Sequence, residues 1–282
     1  MSAAATIAAS VKNAAQALQE HSGSPRLDAE LLLAKVLGLP RSALIARGEE
    51  PLNANHEAAY AKLIRERAGG TPVAYLTGVR EFWSLPLNVT PAVLDPRPET
   101  ECLVEEALAL MPREEPCSVL DLGTGSGAIA LSLAHERPHW HITAADQSAA
   151  ALEVATGNAD SLGLSHISWR LSDWFQALQG ERFHLIVSNP PYIAAGDPAL
   201  RGLTAEPAQA LVSGPTGLEA LRVIIAAAPK HLHARGRLAL EHGMEQAAEV
   251  SRLLGQHGFD SIRTRHDFSG RPRVTLGVLT QH

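Results

Sequence analysis

The feature that most constrains this fold is an alternation of short β-rich runs with helical patterns, which begins near residue 99 and continues to the end of the chain. Strands that alternate with helices favour a mainly parallel sheet with helices on both faces. An α/β fold is therefore predicted for residues 99–282. Seven runs have the composition of its strands: SVLDL (118–122), HITAA (141–145), ISWRL (167–171), FHLIVS (183–188), GRLALE (236–241), SIRTRH (261–266) and RVTLGV (273–278).

The last two runs indicate how the sheet ends. Only a short loop containing Gly270, Arg271 and Pro272 separates them. A crossover helix needs about a dozen residues, so the final strand is expected to turn back antiparallel. We therefore predict a seven-stranded doubly wound sheet with one antiparallel edge strand.

Residues 1–71 have a different pattern and predict a small helical bundle. LDAELLLAKVLG, at residues 27–38, has acids in its first turn, a leucine cluster and a terminal glycine, which are helix signals. EAAYAKLIRERAGG, at residues 57–70, repeats that pattern. Residues 72–98 combine prolines, aromatic residues and alternating apolar side chains, so an extended or hairpin connector is expected before the domain at 99–282.

Composition disfavours several classes of protein. The 282 residues are 45% hydrophobic and 19% charged, which is typical of a globular protein. The N-terminus lacks the pattern of a signal peptide, and no apolar run approaches the roughly 18 residues of a membrane helix. No membrane association is therefore expected. Cys102 and Cys117 form neither a metal pattern nor a disulfide framework, so no metal and a reducing cytoplasm are expected. The net charge of −6 argues against stable nucleic-acid binding.

The first strand of the sheet runs into a glycine-rich turn, DLGTGSGAIALSLA, at residues 121–134. Glycines there allow a tight turn and bring a ligand close to backbone N–H groups at the start of a helix. A dinucleotide site would read G-x-G-x-x-G, whereas this turn reads G-x-G-x-G followed by Ala128. Because alanine can replace that third glycine, a nicotinamide enzyme is disfavoured but stays open. The candidate cofactor residues of this turn are Asp121, Gly123, Thr124, Gly125, Ser126 and Gly127.

Acidic residues follow the next two predicted strands. Asp146 comes 25 residues after Asp121 (146 − 121), at a strand end suited to hydrogen bonding with ribose hydroxyls. Asp173 and Trp174 follow the third strand, where a carboxylate and an indole could bind and pack against adenine. Carboxyl groups at three successive strand ends together outline an adenosine site.

The fourth strand ends in VSNPPY, at residues 187–192. Proline fixes φ and lacks an N–H, so this segment could simply be a turn that ends the strand. In a doubly wound sheet, however, the first and fourth strands lie side by side at the point where ligands bind. Asn189 is therefore expected to face the glycine-rich turn and the reactive part of a cofactor.

These motifs resemble those of class I S-adenosylmethionine-dependent methyltransferases, which have a Rossmann-like fold, and NPPY resembles their acceptor site for planar amino groups. Nearly the whole chain resembles the HemK/PrmC family of glutamine methyltransferases. The resemblance rests on RLDAELLLAKVLG, GTPVAYLTGVREFWSLPLNVTP, PRPETE, DLGTGSGAIA, NPPYI, Glu206-Pro207 with LVSGPTGLEALR, and DFSGRPRV. Asp95 departs from the family, which often has an apolar residue there, and Ala205 stands where an aromatic residue is common.

The resemblance implies methyl transfer from S-adenosylmethionine, with S-adenosylhomocysteine as the product. The implied acceptor is the side-chain nitrogen, N5, of the glutamine in the Gly-Gly-Gln motif of peptide chain release factors 1 and 2. Asn189 Oδ1 and the Pro190 carbonyl would each accept one N–H of that amide, and Asn189 would also contact the cofactor. Pro191 would stiffen the loop and Tyr192 would cover the flat amide, with no metal involved.

Other functions stay open. A glutamine methyltransferase of a ribosomal protein would share NPPY, as would a DNA or RNA amino-methyltransferase, and a noncatalytic adaptor could keep the cofactor site. Arg97 and Glu99 are expected either to close over the site or to serve as a linker. Phe82 and Trp83 are expected to pack in the core, with lining of a substrate entrance as the alternative.

Overall fold

The computed structural model describes residues 5–280, and the chain divides into two compact units. One consists of residues 1–79 with 202–205, and the other of residues 80–201 with 206–282. Within residues 5–280, every helix is too short or too polar to cross a membrane.

The first unit is helical. Both helices predicted from its sequence are present, and the first of them stops where Gly38 adopts a left-handed conformation with φ of 63°. Its core includes Leu32 and Leu33, which are fully buried, and Tyr60, whose hydroxyl donates to the Ala29 carbonyl at 2.9 Å. The helices of this unit are α1 (Ile7–Ala17), α2 (Pro25–Leu37), α3 (Arg41–Ala46), α4 (Ala54–Ala68) and α5 (Val73–Thr77).

The predicted connector contains a hairpin of β1 (Val79–Phe82) and β2 (Leu85–Asn88), preceded along the chain by the short helix α5. Trp83 and Ser84 form the hairpin turn with φ of 52° and 59°, the positive values that a two-residue turn requires. Phe82 is 1% exposed and Trp83 packs against the same core. Their predicted packing role is therefore confirmed.

The second unit contains a seven-stranded sheet, and each predicted strand is present within a few residues of its predicted bounds. The strands are β3 (Ser118–Leu122), β4 (His141–Asp146), β5 (Ile167–Leu171), β6 (Phe183–Ser188), β7 (Leu232–Glu241), β8 (Phe259–His266) and β9 (Pro272–Leu279). The helices are α6 (Glu101–Leu110), α7 (Ala128–Glu136), α8 (Ala149–Leu162), α9 (Ala208–Leu211), α10 (Glu219–Ala227) and α11 (Ala247–Gln256), with 3₁₀ turns at Pro98–Thr100, Pro198–Gly202 and Ala228–His231.

The strand order is β5-β4-β3-β6-β7-β9-β8, so the first and fourth strands are neighbours as predicted. The last strand, β9, is antiparallel to both of its partners, as predicted. Its predicted position at the edge needs correction, because β9 lies between β7 and β8. The sequences explain this order: β9 has four consecutive buried residues, whereas most of β8 is polar and only its first residue, Phe259, is buried.

Successive residues of β3 face two apolar layers, one on each side of the sheet. Val119 belongs to the layer that contains α6 and α7, whereas Leu120 and Leu122 belong to the layer that contains α10 and α11. Strand β6 shows the same alternation, with Val187 in the first layer and Ile186 in the second. Burial on both faces is what a parallel central strand requires.

Asn158, on α8, fastens the glycine-rich turn to the hairpin. Its Nδ2 donates to the Asn88 carbonyl at 3.0 Å and to the Ser126 carbonyl at 2.9 Å. Its Oδ1 accepts from the Asn88 N–H at 2.7 Å. With 1% exposure, this one side chain satisfies three backbone groups and holds two separate segments in place.

We expect Asn158→Ala to lower the free energy of unfolding by about 2–4 kcal/mol, because three partly or fully buried backbone groups lose their hydrogen bonds. Urea denaturation measures the change. Asp160→Ala, on the exposed side of the same helix, is the control and should change stability by less than about 0.5 kcal/mol. Equal stability of Asn158→Ala and the control would contradict this role.

Candidate active site

The carboxyl ends of β3, β4, β5 and β6 surround an open cleft. This is the edge at which doubly wound sheets bind ligands. The structure brings most of the predicted site residues together in its wall: Gly123, Thr124, Gly125, Ser126, Asp146, Asp173, Trp174, Asn189 and Pro191. Four predicted site residues do not line this cleft: the buried Asp121, Gly127 and Pro190 and the half-buried Tyr192.

The glycine-rich turn depends on left-handed backbone conformations. Gly123, Gly125 and Gly127 have φ of 72°, 56° and 84°, values that cost little energy only for glycine. At Gly127 a Cβ atom would also come within 2.9 Å of Leu131 Cδ1 and 3.2 Å of Ala155 Cβ. Gly127 therefore serves the packing of the turn against α7 and α8, and its predicted contact with a cofactor stays a prediction.

Asp121 is fully buried at the end of β3. Its Oδ2 accepts from the Thr124 hydroxyl at 2.6 Å and from the Ala130 N–H at 3.2 Å, which ties the turn to the first residues of α7. Burial raises the pKa of Asp121 to about 7, although these two hydrogen bonds lower it. The carboxylate holds the turn in shape, and its predicted direct contact with a cofactor stays a prediction.

Asp146 lies in the cleft wall at the end of β4. Its Oδ2 accepts from the Gly125 N–H at 2.9 Å and its Oδ1 accepts from the Ser148 N–H at 2.9 Å. A carboxylate oxygen has capacity for more than one donor. Asp146 can therefore fix the turn and still accept a hydrogen bond from a ligand hydroxyl.

We expect Asp146→Ala to weaken S-adenosylmethionine binding by about 10- to 150-fold, because a charge-assisted hydrogen bond contributes about 1.5–3 kcal/mol. Titration calorimetry measures the dissociation constant, with Asp160→Ala as the control for loss of an exposed carboxylate. Unchanged affinity in Asp146→Ala would remove this residue from the cofactor site.

Trp174 forms the cleft wall beyond β5, where its ring lies beside Gly123. Its backbone has φ of 46°, and the buried Ser172 supports this conformation. The Ser172 hydroxyl donates to the Trp174 carbonyl at 2.8 Å and accepts from the Ala177 N–H at 3.0 Å. Asp173 is exposed at the cleft, where it accepts from Gln176 Nε2 at 3.1 Å.

Asn189 is placed beside the glycine-rich turn by the last residue of β6. The Ser188 hydroxyl donates to the Leu122 carbonyl at 2.7 Å, across the pair of strands that carry the two motifs. Asn189 Nδ2 donates to Thr100 Oγ1 at 3.0 Å. Because this bond uses the amide nitrogen, Oδ1 is the group that remains to accept from a ligand. Sequence reasoning missed the roles of Ser188 and Thr100, because each acts through a contact with a residue distant along the chain.

Tyr192 is fixed by two contacts. Its hydroxyl donates to Glu241 Oε1 at 3.4 Å, and its carbonyl accepts from Gln246 Nε2 at 3.0 Å. Burial raises the pKa of Tyr192 to about 12, with the charge of Glu241 as the second cause. The tyrosine therefore stays protonated near neutral pH, as a hydrogen-bond donor to Glu241.

Arg97 lines the cleft and pairs with Glu206, whose Oε1 lies 2.5 Å from Arg97 Nη2. Asp95, which departs from the family pattern, is buried against two cations: its oxygens lie 3.5 Å from Arg80 Nε and 3.9 Å from Arg97 Nη1. Burial raises the pKa of Asp95, and the two arginines oppose that rise. Arg97 thus lines the site and also forms a structural ion pair.

Family models match two parts of the chain. The PrmC N-terminal domain matches residues 10–78, and the Methyltransferase small domain matches residues 100–215. The release factor glutamine methyltransferase of Xylella fastidiosa strain Temecula1 is 50% identical over 254 residues, which cover 89% of this chain and 92% of that protein. The release factor glutamine methyltransferase of Escherichia coli K12 is 47% identical over 262 residues, 92% of this chain and 94% of that protein.

The chain belongs to the release factor glutamine methyltransferase family. This confirms the resemblance seen in the motifs and makes the chain an S-adenosylmethionine-dependent methyltransferase. A methyltransferase of Pyrococcus furiosus shares the fold, with a TM-score of 0.53, 18% identity and coverage of 70% of this chain and 90% of that one. The class I fold is therefore confirmed, whereas the individual site residues stay predictions.

Proposed function

We propose that this chain transfers a methyl group from S-adenosylmethionine to the side-chain nitrogen, N5, of the glutamine in the Gly-Gly-Gln motif of class 1 release factors, namely peptide chain release factors 1 and 2. One observation carries the proposal. Asn189 lies at the cleft beside the glycine-rich turn, and its bond to Thr100 leaves Oδ1 as an acceptor for an amide N–H. The names of the curated relatives support the same substrate.

The cleft suits S-adenosylmethionine by the chemistry of its donors and acceptors. The Asp146 carboxylate would accept from ribose hydroxyls, while Asp173 and Trp174 would bind and cover the adenine. The turn at residues 123–127 would hold the methionine end. When bound, the sulfonium of this cofactor supplies an electrophilic methyl group.

The acceptor loop, residues 189–192, has to compensate for the low nucleophilicity of the substrate nitrogen. An amide nitrogen is a poor nucleophile because its lone pair is delocalised into the carbonyl. Asn189 Oδ1 and the Pro190 carbonyl would accept the two N–H bonds, which orients the nitrogen and favours positive charge developing on it. The fixed φ of Pro190 and Pro191 keeps these acceptors rigid, and the ring of Tyr192 would provide an apolar wall. The reaction is proposed to need no metal.

Methylation assays with labelled S-adenosylmethionine test this proposal directly. The panel contains a release factor, a ribosomal protein, DNA and RNA. Incorporation into the release factor alone supports the proposal. Incorporation into another member identifies one of the rival methyltransferases, and binding of the cofactor without any transfer would point to an adaptor.

We expect Asn189→Ala to retain cofactor binding but to lose about a hundredfold or more of kcat, because misplacing a reacting group costs that much. Steady-state kinetics on a release factor measures the loss. Turnover near that of the wild type would exclude Asn189 from the mechanism.

We further propose that residues 1–71 select the substrate protein. A glutamine side chain offers few atoms for recognition, so selectivity needs contacts away from the reacting amide. The match of residues 10–78 to the PrmC N-terminal domain supports a role specific to this family. The reaction is proposed to take place in the cytoplasm, where release factors act, without stable nucleic-acid binding or membrane association.

A chain that begins at residue 72 should still bind S-adenosylmethionine but methylate an intact release factor at least about tenfold more slowly, because distant contacts contribute to transition-state binding. On a short Gly-Gly-Gln peptide, both chains should be similarly slow. The truncated chain is first checked for cooperative unfolding. If it folds and methylates the intact release factor at the full-length rate, the N-terminal helices do not select the substrate.

A further inference from the structure

Two large apolar side chains are exposed on turns close to the acceptor loop. Phe268 is 81% exposed and lies in the turn between β8 and β9, and Met244 is 53% exposed and lies in the turn that follows β7. At this exposure neither side chain contributes much to the core. Turns ordinarily carry glycine, proline or small polar residues, so these two side chains call for another explanation than folding.

Both turns lie at the edge of the sheet that carries the cleft. Strand β7 is parallel to β6, so its carboxyl end lies at the same edge as the acceptor loop. Strand β9 is antiparallel to β7, with Val274 opposite Glu241, and the His242 N–H donates to the Arg273 carbonyl at 3.0 Å. The turn that precedes β9 therefore projects from this edge, beside the turn that follows β7.

Hydrogen bonds join the turn of Met244 to the acceptor loop. Gln246 closes this turn, since its N–H donates to the Gly243 carbonyl at 2.9 Å and its Oε1 accepts from the Gly243 N–H at 2.9 Å. The Gln246 Nε2 also donates to the Tyr192 carbonyl at 3.0 Å. Met244 lies between Gly243 and Gln246 and is therefore held next to the acceptor loop.

The turn of Phe268 is held by the buried Asp267. The Asp267 Oδ1 accepts from the Ser269 N–H and the Arg271 N–H, both at 2.9 Å. Its Oδ2 accepts from Arg273 Nη2 at 3.4 Å. The ring of Phe268 is thus presented to solvent on a backbone that is already ordered, which lowers the entropic cost of binding a partner.

Most of the exposed large apolar side chains of the second unit lie at this edge. Among the described residues of that unit they are Leu171, Val223, Met244 and Phe268. Leu171 is the last residue of β5, so Val223, in the middle of α10, is the one that lies elsewhere. Single exposed apolar residues need no explanation, but methionine and aromatic side chains are enriched where proteins bind one another.

We propose that Met244 and Phe268 form an apolar contact surface for the release factor, on the side of the acceptor loop that carries β7 and β9. This inference rests on the proposed function, which requires a protein to bring its glutamine to Asn189. The polypeptide that flanks this glutamine has to pass over the edge of the sheet. A second copy of this chain on the same surface would cover the place where the glutamine enters.

The spacing of the strands indicates which part of the release factor makes this contact. Strand β9 lies two strands from β6, which is about 10 Å at the usual separation of about 4.8 Å. An extended chain advances about 3.3–3.6 Å per residue, so the contact begins about three residues from the glutamine. The two glycines of Gly-Gly-Gln have no side chains to bury, so the release factor has to supply apolar side chains from outside this motif.

Met244→Ser together with Phe268→Ser tests the inference, because serine suits both turns and removes the apolar area. We expect KM for an intact release factor to rise at least about tenfold, with kcat within about threefold of wild type, because apolar anchors contribute to binding of the partner. Steady-state kinetics measures both constants. Neither residue lines the cleft, so the affinity for S-adenosylmethionine should be unchanged in calorimetry. Val223→Ser, at a site 49% exposed, is the matched control and should keep the wild-type KM.

A second pair of variants separates lost apolar area from a changed turn. Met244→Leu together with Phe268→Leu keeps apolar side chains at both positions. Its KM for the intact release factor should be at least about fivefold below that of the serine pair, because apolar area is restored. A leucine pair no better than the serine pair would overturn the inference.

The wild-type chain separates the two levels of the claim. If wild type does not methylate a release factor, the proposed function is wrong. If wild type is active but the serine pair keeps the wild-type KM, or lowers kcat without raising KM, the contact surface is wrong and the proposed function stands. Sedimentation that shows a wild-type dimer, dissociated by the serine pair, would assign the surface to a second copy of this chain and would also overturn the inference.

Discussion

The side-by-side pairing of β3 and β6 is the interaction on which the site depends. Each strand ends in one of the two motifs, and the Ser188 hydroxyl closes the pair by donating to the Leu122 carbonyl at 2.7 Å. Because β3 and β6 are parallel, their carboxyl ends lie at the same edge of the sheet. The glycine-rich turn and the acceptor loop, which follow these ends, are therefore adjacent. The burial of both strands on both faces keeps this edge rigid.

Rigidity at the edge comes from buried polar groups as well as from the apolar layers. Asp121 ties the turn to α7, Asn158 ties it to the hairpin, and the half-buried Asp146 ties it to the end of β4. The acceptor loop is held in the same manner by Thr100 and Glu241. A buried polar group is costly unless it is hydrogen-bonded, and these side chains bond to the segments that form the edge of the cleft.

The sequence predicted the sheet well because each strand is a separate run of β-rich residues between helices. Position within the sheet was harder to predict: β9 was expected at the edge, but its apolar run is covered by β8. The motif residues could be found because they follow strand ends. Glu241 and Thr100 could not be found from the sequence. Their contacts with Tyr192 and Asn189 join residues 49 and 89 positions apart, and only the folded chain creates them.

The central claim is that this cleft presents an amide nitrogen to a methyl donor. Tandem mass spectrometry of an intact release factor, after incubation with this chain and S-adenosylmethionine, tests it most directly. The account predicts a single added methyl group on the side chain of the Gly-Gly-Gln glutamine. A methyl group on any other residue, or none despite saturating cofactor, would contradict it.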